Sequence, residues 1–537
     1  MDAQQFLAEF GHIANAPGGV ARMRQMVFSL ASEGKLLANC EPLEFTHLDK
    51  VADFVMGQAP PGNECNTTGN GTVFVKTGEF GELYPVVREW TTKPLKMAKQ
   101  GDVLICVVGA TVGKLNLAID CAIGRSVAAI RPRAGLTTKY LYFMLMPFTL
   151  RLRSDSRGSA QGVIGKAELS AVKLRVPSDE EQSRIVAKVD ELMALCDRLE
   201  AQQQARHILQ NALRQSTLQA VASATSPHEL QTTWTRLANN FGRLFHAPAD
   251  VDDVIAELKN LAVRGLLTEA SVASHDLAAI KADCSQLRAQ YIADGLMRRQ
   301  KLVGMAECED IYPDHWAVTA FDEVAVVIGG VTKGRDLRGK QVIVCPYLAV
   351  ANVQRGHFKL EGLKSIEISA DELAKYQVHE GDLLITEGGD WDKVGRTAIW
   401  RGDVANCLHQ NHVFKARVPS KQLLNEWVEL VFNSGVGRNY FAGASKQTTN
   451  LASINMTQLR SFALPIPPLD EQQRILSALS KLTAHCNEWR RQLERKQALS
   501  ALIATAVVSS FTGINVEQED DALENADQNN ELEEISE

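Results

Sequence analysis

The sequence predicts an α+β protein: two mixed α/β blocks separated by long helices, built by an internal duplication. Three observations carry that prediction. From Ile475 the apolar residues step Ile475, Leu479, Leu482, Cys486, Trp489, Leu493, the a/d spacing that keeps one face of a helix against a partner. The same seam stands 290 positions earlier as Ile185, Val189, Leu192, Cys196, Leu199, and Pro177, Glu181, Gln182, Arg184 and Cys196 match Pro467, Glu471, Gln472, Arg474 and Cys486 one for one. The blocks ahead of the two seams share a framework of their own, so the repeated unit is helix, mixed block, seam helix.

Residues 1–40 read as a helical segment. Phe6, Phe10 and Ile13 lead in, and Met23, Met26, Val27, Leu30, Leu36 and Leu37 follow the Pro17-Gly18-Gly19 break. Helical spacing is present on either side of that Pro-Gly break. The stretch SLASEGKLLA (Leu30, Ala31, Gly34, Leu36) returns as NLAVRGLLTE (Leu261, Ala262, Gly265, Leu267).

Residues 41–178 change character. Short apolar runs such as VFVKT, DVLICVVGA and SVAAIRP alternate with turns at Pro60-Pro61-Gly62, Gly69-Asn70-Gly71 and Gly109, which are strand signals. A helical run, KYLYFMLMPFTLRLRS, is followed by an expected basic loop with Arg151, Arg153, Arg157 and Lys166.

Residues 179–316 are predicted mostly helical. The first seam helix starts at a capping box, Ser178 with Glu181, and runs to about Ala222. Further helices are expected in TTWTRLANNFGRLF, VDDVIAELKNLAVRGLL and SHDLAAIKADCSQLRAQYIADGLMRRQK. The stretch around 271–316 has no counterpart of that length in the first copy.

Residues 317–468 repeat the mixed block. Val51-Ala52 matches Val324-Ala325, Gly101-Asp102 matches Gly381-Asp382, and Val112-Gly113-Lys114 matches Val394-Gly395-Arg396. Cys121, Val127 and Arg131 match Cys407, Val413 and Arg417. The second seam helix occupies 469–515, and 516–537 is an acidic tail expected to be a disordered, solvating segment.

Charge points towards nucleic acid. The net charge of −7 is set by ten acidic residues after Asn515, with no Lys or Arg among them. Residues 44–178 carry 17 Lys and Arg against 11 Asp and Glu, and residues 317–468 carry 17 against 15. The basic excess thus lies in the two mixed blocks, a mild form of a nucleic-acid footprint. No run of 18 apolar residues and no basic, apolar leader is present, which argues against membrane insertion and secretion. Ten cysteines stand singly, with no CxxC pair, so reduced thiols and a cytoplasmic protein are expected.

Motifs for catalysis are absent. GATVGKL is one residue too short for a phosphate loop and lacks Ser or Thr after Lys114. No GxGxxG follows a strand, and neither HExxH nor GxSxG occurs. His409 and His412 lack a second ligand pair and read as surface histidines. Asp179-Glu180 and Asp390 with Asp392 are the acidic pairs that could form a nuclease site, but Asp179-Glu180 reads as a helix start, where carboxylates offset the dipole. Cys196 and Cys486 read as small hydrophobes in the seam, and Trp489 as its anchor. The chain is expected to catalyse nothing.

The twin seams PIPPLDEQQRI and RVPSDEEQSRI, the twin LA..G.L helices and the GD(V/L)LI strands resemble the DNA-specificity subunit of type I restriction-modification enzymes. The resemblance covers nearly the whole chain outside the tail and the 271–316 stretch. It implies that the mixed blocks are two target-recognition domains, each reading half of a bipartite, asymmetric site in double-stranded DNA. It implies that the long helices pair as an antiparallel coiled coil on a pseudo-twofold frame, fixing the distance between half-sites. Two methyltransferase subunits would dock on them, and restriction/translocase subunits would complete the complex. S-adenosylmethionine, ATP and Mg would belong to those partners, with no cofactor or metal on this chain. A fused methyltransferase would need an S-adenosylmethionine loop and an Asn/Asp-Pro-Pro-aromatic motif, and neither is present. The remaining alternative is a helical adaptor that recruits partners without reading DNA; the basic blocks argue against it.

Within this reading, bases are contacted by Arg at guanine and Asn or Gln at adenine, with Lys and Arg on phosphates. The first block offers Lys76, Lys114, Arg125, Arg151, Arg153, Arg157, Gln161 and Lys166. The second offers Lys333, Arg335, Arg338, Lys340, Arg355, Lys393, Arg396, Gln410, Asn411, Lys446, Gln447 and Asn450.

Overall fold

The computed structural model describes residues 3–37, 44–109, 111–155, 163–223, 227–271, 273, 276–308, 312–389, 393–444, 446–448 and 451–512. The acidic tail, Arg157, Gln161, Asn450, Asp390 and Asp392 lie outside these residues. The chain divides into two units, 1–209 with 495–537, and 210–494. This division cuts through both long helices, Asp179–Ala222 and Leu469–Thr512, each of 44 residues.

In the first unit, helices Ala3–Ala14 and Gly19–Ser32 fall either side of the Pro17 break. The mixed block then forms a four-stranded sheet in the order Ala52–Met56, Val127–Pro132, Val103–Cys106, Leu115–Leu117, antiparallel throughout. Period-two alternation gives this sheet two dry faces. Val103, Ile105, Ala128 and Ile130 join the core shared with the helices. Leu104, Cys106, Val127 and Ala129 line a second core under a five-stranded sheet. In that outer sheet Thr72–Val75 and Cys121–Ile123 run parallel, with Phe74 opposite Ala122.

The second unit repeats the order: Val326–Ile328, Val413–Arg417, Leu383–Thr386, Thr397–Ile399. Its outer sheet also contains one parallel pair, Tyr347 opposite Leu408. Helices Pro227–Asn239 and Asp250–Val263 are present as expected. The last predicted helix is shorter than its sequence run, covering Leu277–Ala293 and stopping where Gly295 turns with φ +71°. Sequence reading missed Asn425–Asn433 and Gly435–Ala444, the helices that stand where Thr138–Asp155 stands in the first unit.

The seams face bundles rather than a single partner helix. Ile185, Val189, Leu192 and Cys196 are at most 3% exposed and share a core with Met23, Met26, Val27 and Leu30; Leu199 packs at its margin. Ala504 and Val508, from the end of the other long helix, complete that core. In the second unit Ile475 and Leu479 are buried, with Leu482, Cys486 and Trp489 against the same core and Leu493 half-buried. Trp489 packs against Phe241 with ring centres 4.4 Å apart and planes tilted by 41°, and Leu218 and Val221 from the end of the first long helix join this core. Each unit thus takes the start of one long helix and the end of the other.

The repeated Gln of the seam motif anchors both starts. The Gln182 side chain is fully buried, accepts from the Thr137 backbone N–H at 2.8 Å, and donates to Gly135 O and Pro177 O. Gln472 accepts from the Leu424 N–H at 2.9 Å and donates to Gln422 O and Pro467 O. A buried amide with every group satisfied fixes the angle at which helix meets block. The 271–316 stretch braces the second start: Glu471, 1% exposed, accepts from Ser271 N, Trp316 Nε1 and His315 Nε2.

Candidate nucleic-acid interface

The matched residues of the two blocks make matched contacts. Asp102, 2% exposed, accepts from both Nε and Nη2 of Arg131 at 2.8 and 2.7 Å, and from the Lys99 N–H. Asp382, fully buried, accepts from Nε and Nη2 of Arg417 at 2.6 and 2.7 Å, and from the His379 N–H. The glycine before each aspartate turns with positive φ, +97° and +87°, which explains the repeated Gly-Asp pair. Arg131 and Arg417 are therefore frame residues.

At the end of the parallel strand pair this frame holds one turn in each unit, 124–126 and 410–412. Backbone bonds close it, Val127 N to Gly124 O at 3.0 Å and Val413 N to Gln410 O at 2.8 Å. Three more backbone bonds box it in, and all are duplicated. Gly124 N donates to Val75 O and Gln410 N to Leu348 O, both at 2.9 Å. Gln58 N donates to Ile123 O at 3.0 Å and Val331 N to His409 O at 2.8 Å. Val107 N donates to Ser126 O at 2.8 Å and Glu387 N to His412 O at 3.0 Å. Gly57 and Gly330 make the close approach feasible: a Cβ would lie 2.0 Å from Gly124 O or 2.2 Å from Gln410 O. Only glycine fits there. The side chains on this common support differ: Gly124-Arg125-Ser126 against Gln410-Asn411-His412.

Basic residues lie on the strands and loops that hold the turn. Lys76 follows Val75, and its ammonium lies 5.8 Å from the centre of the Phe74 ring while pairing with Glu89 at 2.8 Å. Lys333, two residues past Val331, sits 5.1 Å over the Tyr347 ring, at the strand position that Phe74 holds in the first unit. Ile164 N donates to Val107 O, placing Lys166 two residues beyond. In the second unit Ile454 N donates to Glu387 O, and strands Lys446–Thr448, Leu451–Ser453 and Gly388–Gly389 form a small sheet there. Glu387 is itself engaged by His412 at 2.7 Å.

The structure sorts the sequence candidates. Lys114 donates to Phe80 O at 2.8 Å and Arg396 to Gln354 Oε1 at 2.8 Å, so this matched pair braces neighbouring loops. Arg335 pairs with Glu372 at 2.7 Å, Arg338 with Asp336 at 2.7 Å, and Arg355 reaches Asn433 at 3.4 Å. Arg125, Lys166 and Lys340 are exposed, with no side-chain hydrogen bond or ion pair among the described residues. Lys393 is exposed, and Gln410 and Asn411 are half-buried. Arg151 and Arg153 belong to the helix Thr138–Asp155, not to the expected basic loop, and Lys446 and Gln447 to a strand.

His409 corrects a sequence expectation. Instead of lying on the surface it is fully buried, and its Nδ1 meets Val413 O at 2.7 Å across the turn. Burial pushes its imidazole down to about 3, with the charge of Lys415 adding to the effect. It is neutral at physiological pH, so Nδ1 carries the proton and donates. Lys415, 3% exposed, donates to Lys375 O and Gln377 O, and burial lowers its ammonium to about 8. Burial raises Cys121 and Cys407 to about 12, leaving both thiols unreactive. Among the described residues no group of three or more His, Cys, Asp or Glu is placed to hold a metal ion. No described helix is long and apolar enough to cross a membrane.

Comparison with known proteins covers both mixed blocks. The family described as type I restriction modification DNA specificity domain matches 41–207 and 313–497. The type I restriction enzyme EcoEI specificity subunit of Escherichia coli is 22% identical over 62% of this chain and 57% of its own length. The StySPI specificity subunit of Salmonella potsdam is 21% identical over 76% of this chain and 72% of its own. This chain therefore spans little more than half of the first of these relatives. Among solved structures, the HsdS subunit from Thermoanaerobacter tengcongensis aligns at 31% identity, covering 37% of this chain and 52% of that one, with a TM-score of 0.28.

Proposed function

Since the chain belongs to the type I restriction-modification DNA-specificity family, we propose that its two mixed blocks, 41–178 and 317–468, each read one half of a bipartite, asymmetric site in double-stranded DNA. The two long helices, paired as a spacer, set the separation. At 44 residues each they measure about 66 Å at 1.5 Å per residue, and a stiff element is what fixed half-site spacing requires. Their exposed surfaces dock two methyltransferase subunits, and restriction/translocase subunits complete the assembly. Chemistry belongs to those partners, which bring S-adenosylmethionine, ATP and Mg; this chain supplies address and geometry.

One observation carries the reading. The same turn, held by the same four backbone bonds, bears unlike side chains in the two units. A duplicated structural part preserves its surface along with its frame. Two readers of unlike half-sites need a common frame and different surfaces.

The test exchanges residues 44–178 for the corresponding block of another family member, assembles the full chain with its methyltransferase partners, and maps methylated adenines across a genome. One half-site should change while the other half and the gap stay as they were. A changed gap, or changes in both halves, would overturn the division of labour. Wild-type complex whose DNA affinity is flat in salt and free of sequence preference would instead mark a helical adaptor.

A further inference from the structure

Of the basic and amide side chains at matched places in the two units, Arg131 with Arg417 and Lys114 with Arg396 are engaged within the fold, whereas the pair on the boxed turns is not. Arg125 and Asn411 are the middle residues of the boxed turns, each three residues after the parallel-strand pair. Their flanks are fixed alike: Cys121 with Cys407 before, Val127 with Val413 after, and the Gly57 and Gly330 segments alongside. Backbone position is therefore constant while side-chain chemistry changes, which is what a specificity position requires.

We infer that this position is a base-reading residue in each block, with Arg125 selecting a guanine in one half-site and Asn411 an adenine in the other. The inference rests on the reading of the two blocks as DNA readers and deepens it to one residue each. Three features support the choice. Arg125 is exposed and its guanidinium has no partner among the described residues, so its forked donors remain available for the O6 and N7 acceptors of guanine. Asn411 has both a donor and an acceptor on one amide, the pattern that pairs with adenine N6 and N7. Among the described residues its amide nitrogen hydrogen-bonds only the neighbouring His412 Nε2, at 3.4 Å, and His412 is held by Glu387.

The surroundings suit the role. Lys76, Lys166 and Lys333 flank the turns on adjoining segments, where phosphate contacts would set register without reading sequence. Rigidity is built in too. Four backbone bonds fix each turn, and in the second unit His409 adds a side-chain bond across it. A base reader on a rigid support loses less entropy on binding than one on a free loop.

The experiment uses the full chain with its methyltransferase partners and reads methylated sites by sequencing. Arg125→Asn should lower discrimination at one guanine of one half-site by about 10- to 100-fold, leaving the other half-site and the gap unchanged. Asn411→Arg should do the reciprocal at one adenine of the other half. Arg125→Lys keeps the charge but loses the planar fork, and should lose most of the guanine preference. Full discrimination in Arg125→Lys would overturn the inference, because charge alone would then suffice. So would unchanged half-sites in both exchanges, or a uniform fall at every site with no change in sequence preference. Each of these leaves the wild-type bipartite pattern intact, and with it the broader reading. That reading fails on its own if the unaltered complex shows no bipartite pattern. Both positions are at the surface of their turns, and matching thermal unfolding curves would show that the variants fold.

Discussion

Two positions inside the mixed blocks show how far a duplicated frame can diverge. In the first unit Ile123 and Ala129 are fully buried aliphatic residues on consecutive strands of different sheets. Their counterparts in the second unit are His409 and Lys415, buried almost as completely. The four-stranded sheet keeps its strand order and the four bonds of the turn are duplicated, although the outer sheet has five strands in the first unit and three in the second. What differs is that the second unit must satisfy two buried polar groups. The donors are met by carbonyls, Val413 O for the imidazole Nδ1–H and Lys375 O and Gln377 O for the ammonium, while His409 Nε2 stays buried without a partner among the described residues. The comparison teaches that the frame is defined by backbone bonds and by a few buried anchors, and that core chemistry around it is open to change as long as each donor finds an acceptor.

The largest test of that statement concerns the anchors. Arg417 and Arg131 hold equivalent aspartates, but Arg417 also meets Tyr291 and its aspartate is 1% exposed at the side chain. Replacing Arg417 with Met strands a buried carboxylate and should cost about 3–5 kcal/mol. The two pairs are exposed almost alike, 34% for Arg131 with 3% for Asp102 against 28% for Arg417 with 1% for Asp382, but Arg131 has no tyrosine partner to lose, so Arg131→Met should cost somewhat less, about 2–3 kcal/mol. Denaturant unfolding, resolved by hydrogen exchange in each unit, would measure both. Equal losses would mean that the tyrosine contact of Arg417 adds nothing to its anchor.

Next in size is a difference in acid response. His409 is neutral in the folded state down to about pH 3, whereas an unfolded histidine titrates near pH 6.5. Between those values the unfolded chain binds the extra proton, so stability from this group is present above about pH 6.5 and is lost as pH falls towards 3. The full loss is about 5 kcal/mol, of which roughly 3 kcal/mol falls between pH 6.5 and 4.5. Ile123 has no such linkage. On acidification from pH 6.5 to 4.5, protection in the second unit's sheet should fall faster than in the first. His409→Ile should bring the two slopes together, and an unaltered gap between them would place the acid sensitivity elsewhere.

Sequence alone exposed the parts of this architecture that repeat. Gln182 with Gln472, Asp102 with Asp382 and Arg131 with Arg417 stood out as matched letters, and the structure assigns each pair a matched bond. Periodicity marked both long helices because burial of every third or fourth residue leaves a trace in order along the chain. The turns left a fainter signal, three unlike residues between matched Cys and Val positions. Their support was invisible, since backbone bonds carry no side-chain code. Partners of surface cations were also hidden. Lys76 meets Glu89 thirteen residues on, and Arg335 meets Glu372 thirty-seven residues on, so engaged and free cations look alike in sequence. His409 went wrong for a related reason: a polar letter suggests the surface unless its buried acceptor is known.

The smallest expected effect separates those two kinds of cation. Lys166 is exposed with no side-chain hydrogen bond or ion pair among the described residues, and a lysine in that state is free to displace a counterion at a phosphate. Arg338 is 91% exposed but already neutralised by Asp336 two residues away, at 2.7 Å. Contact with DNA would require Arg338 to leave that carboxylate or bring it along, and either reduces what the contact gains. For the full complex on its own site, Lys166→Ala should lower the slope of log affinity against log salt by about 1. Arg338→Ala should change it by clearly less. Affinity measured at several salt concentrations decides the matter, because removal of an uninvolved charge leaves the slope unchanged. A larger change from Arg338 than from Lys166 would show that local ion pairs do not predict which cations of these blocks reach the duplex.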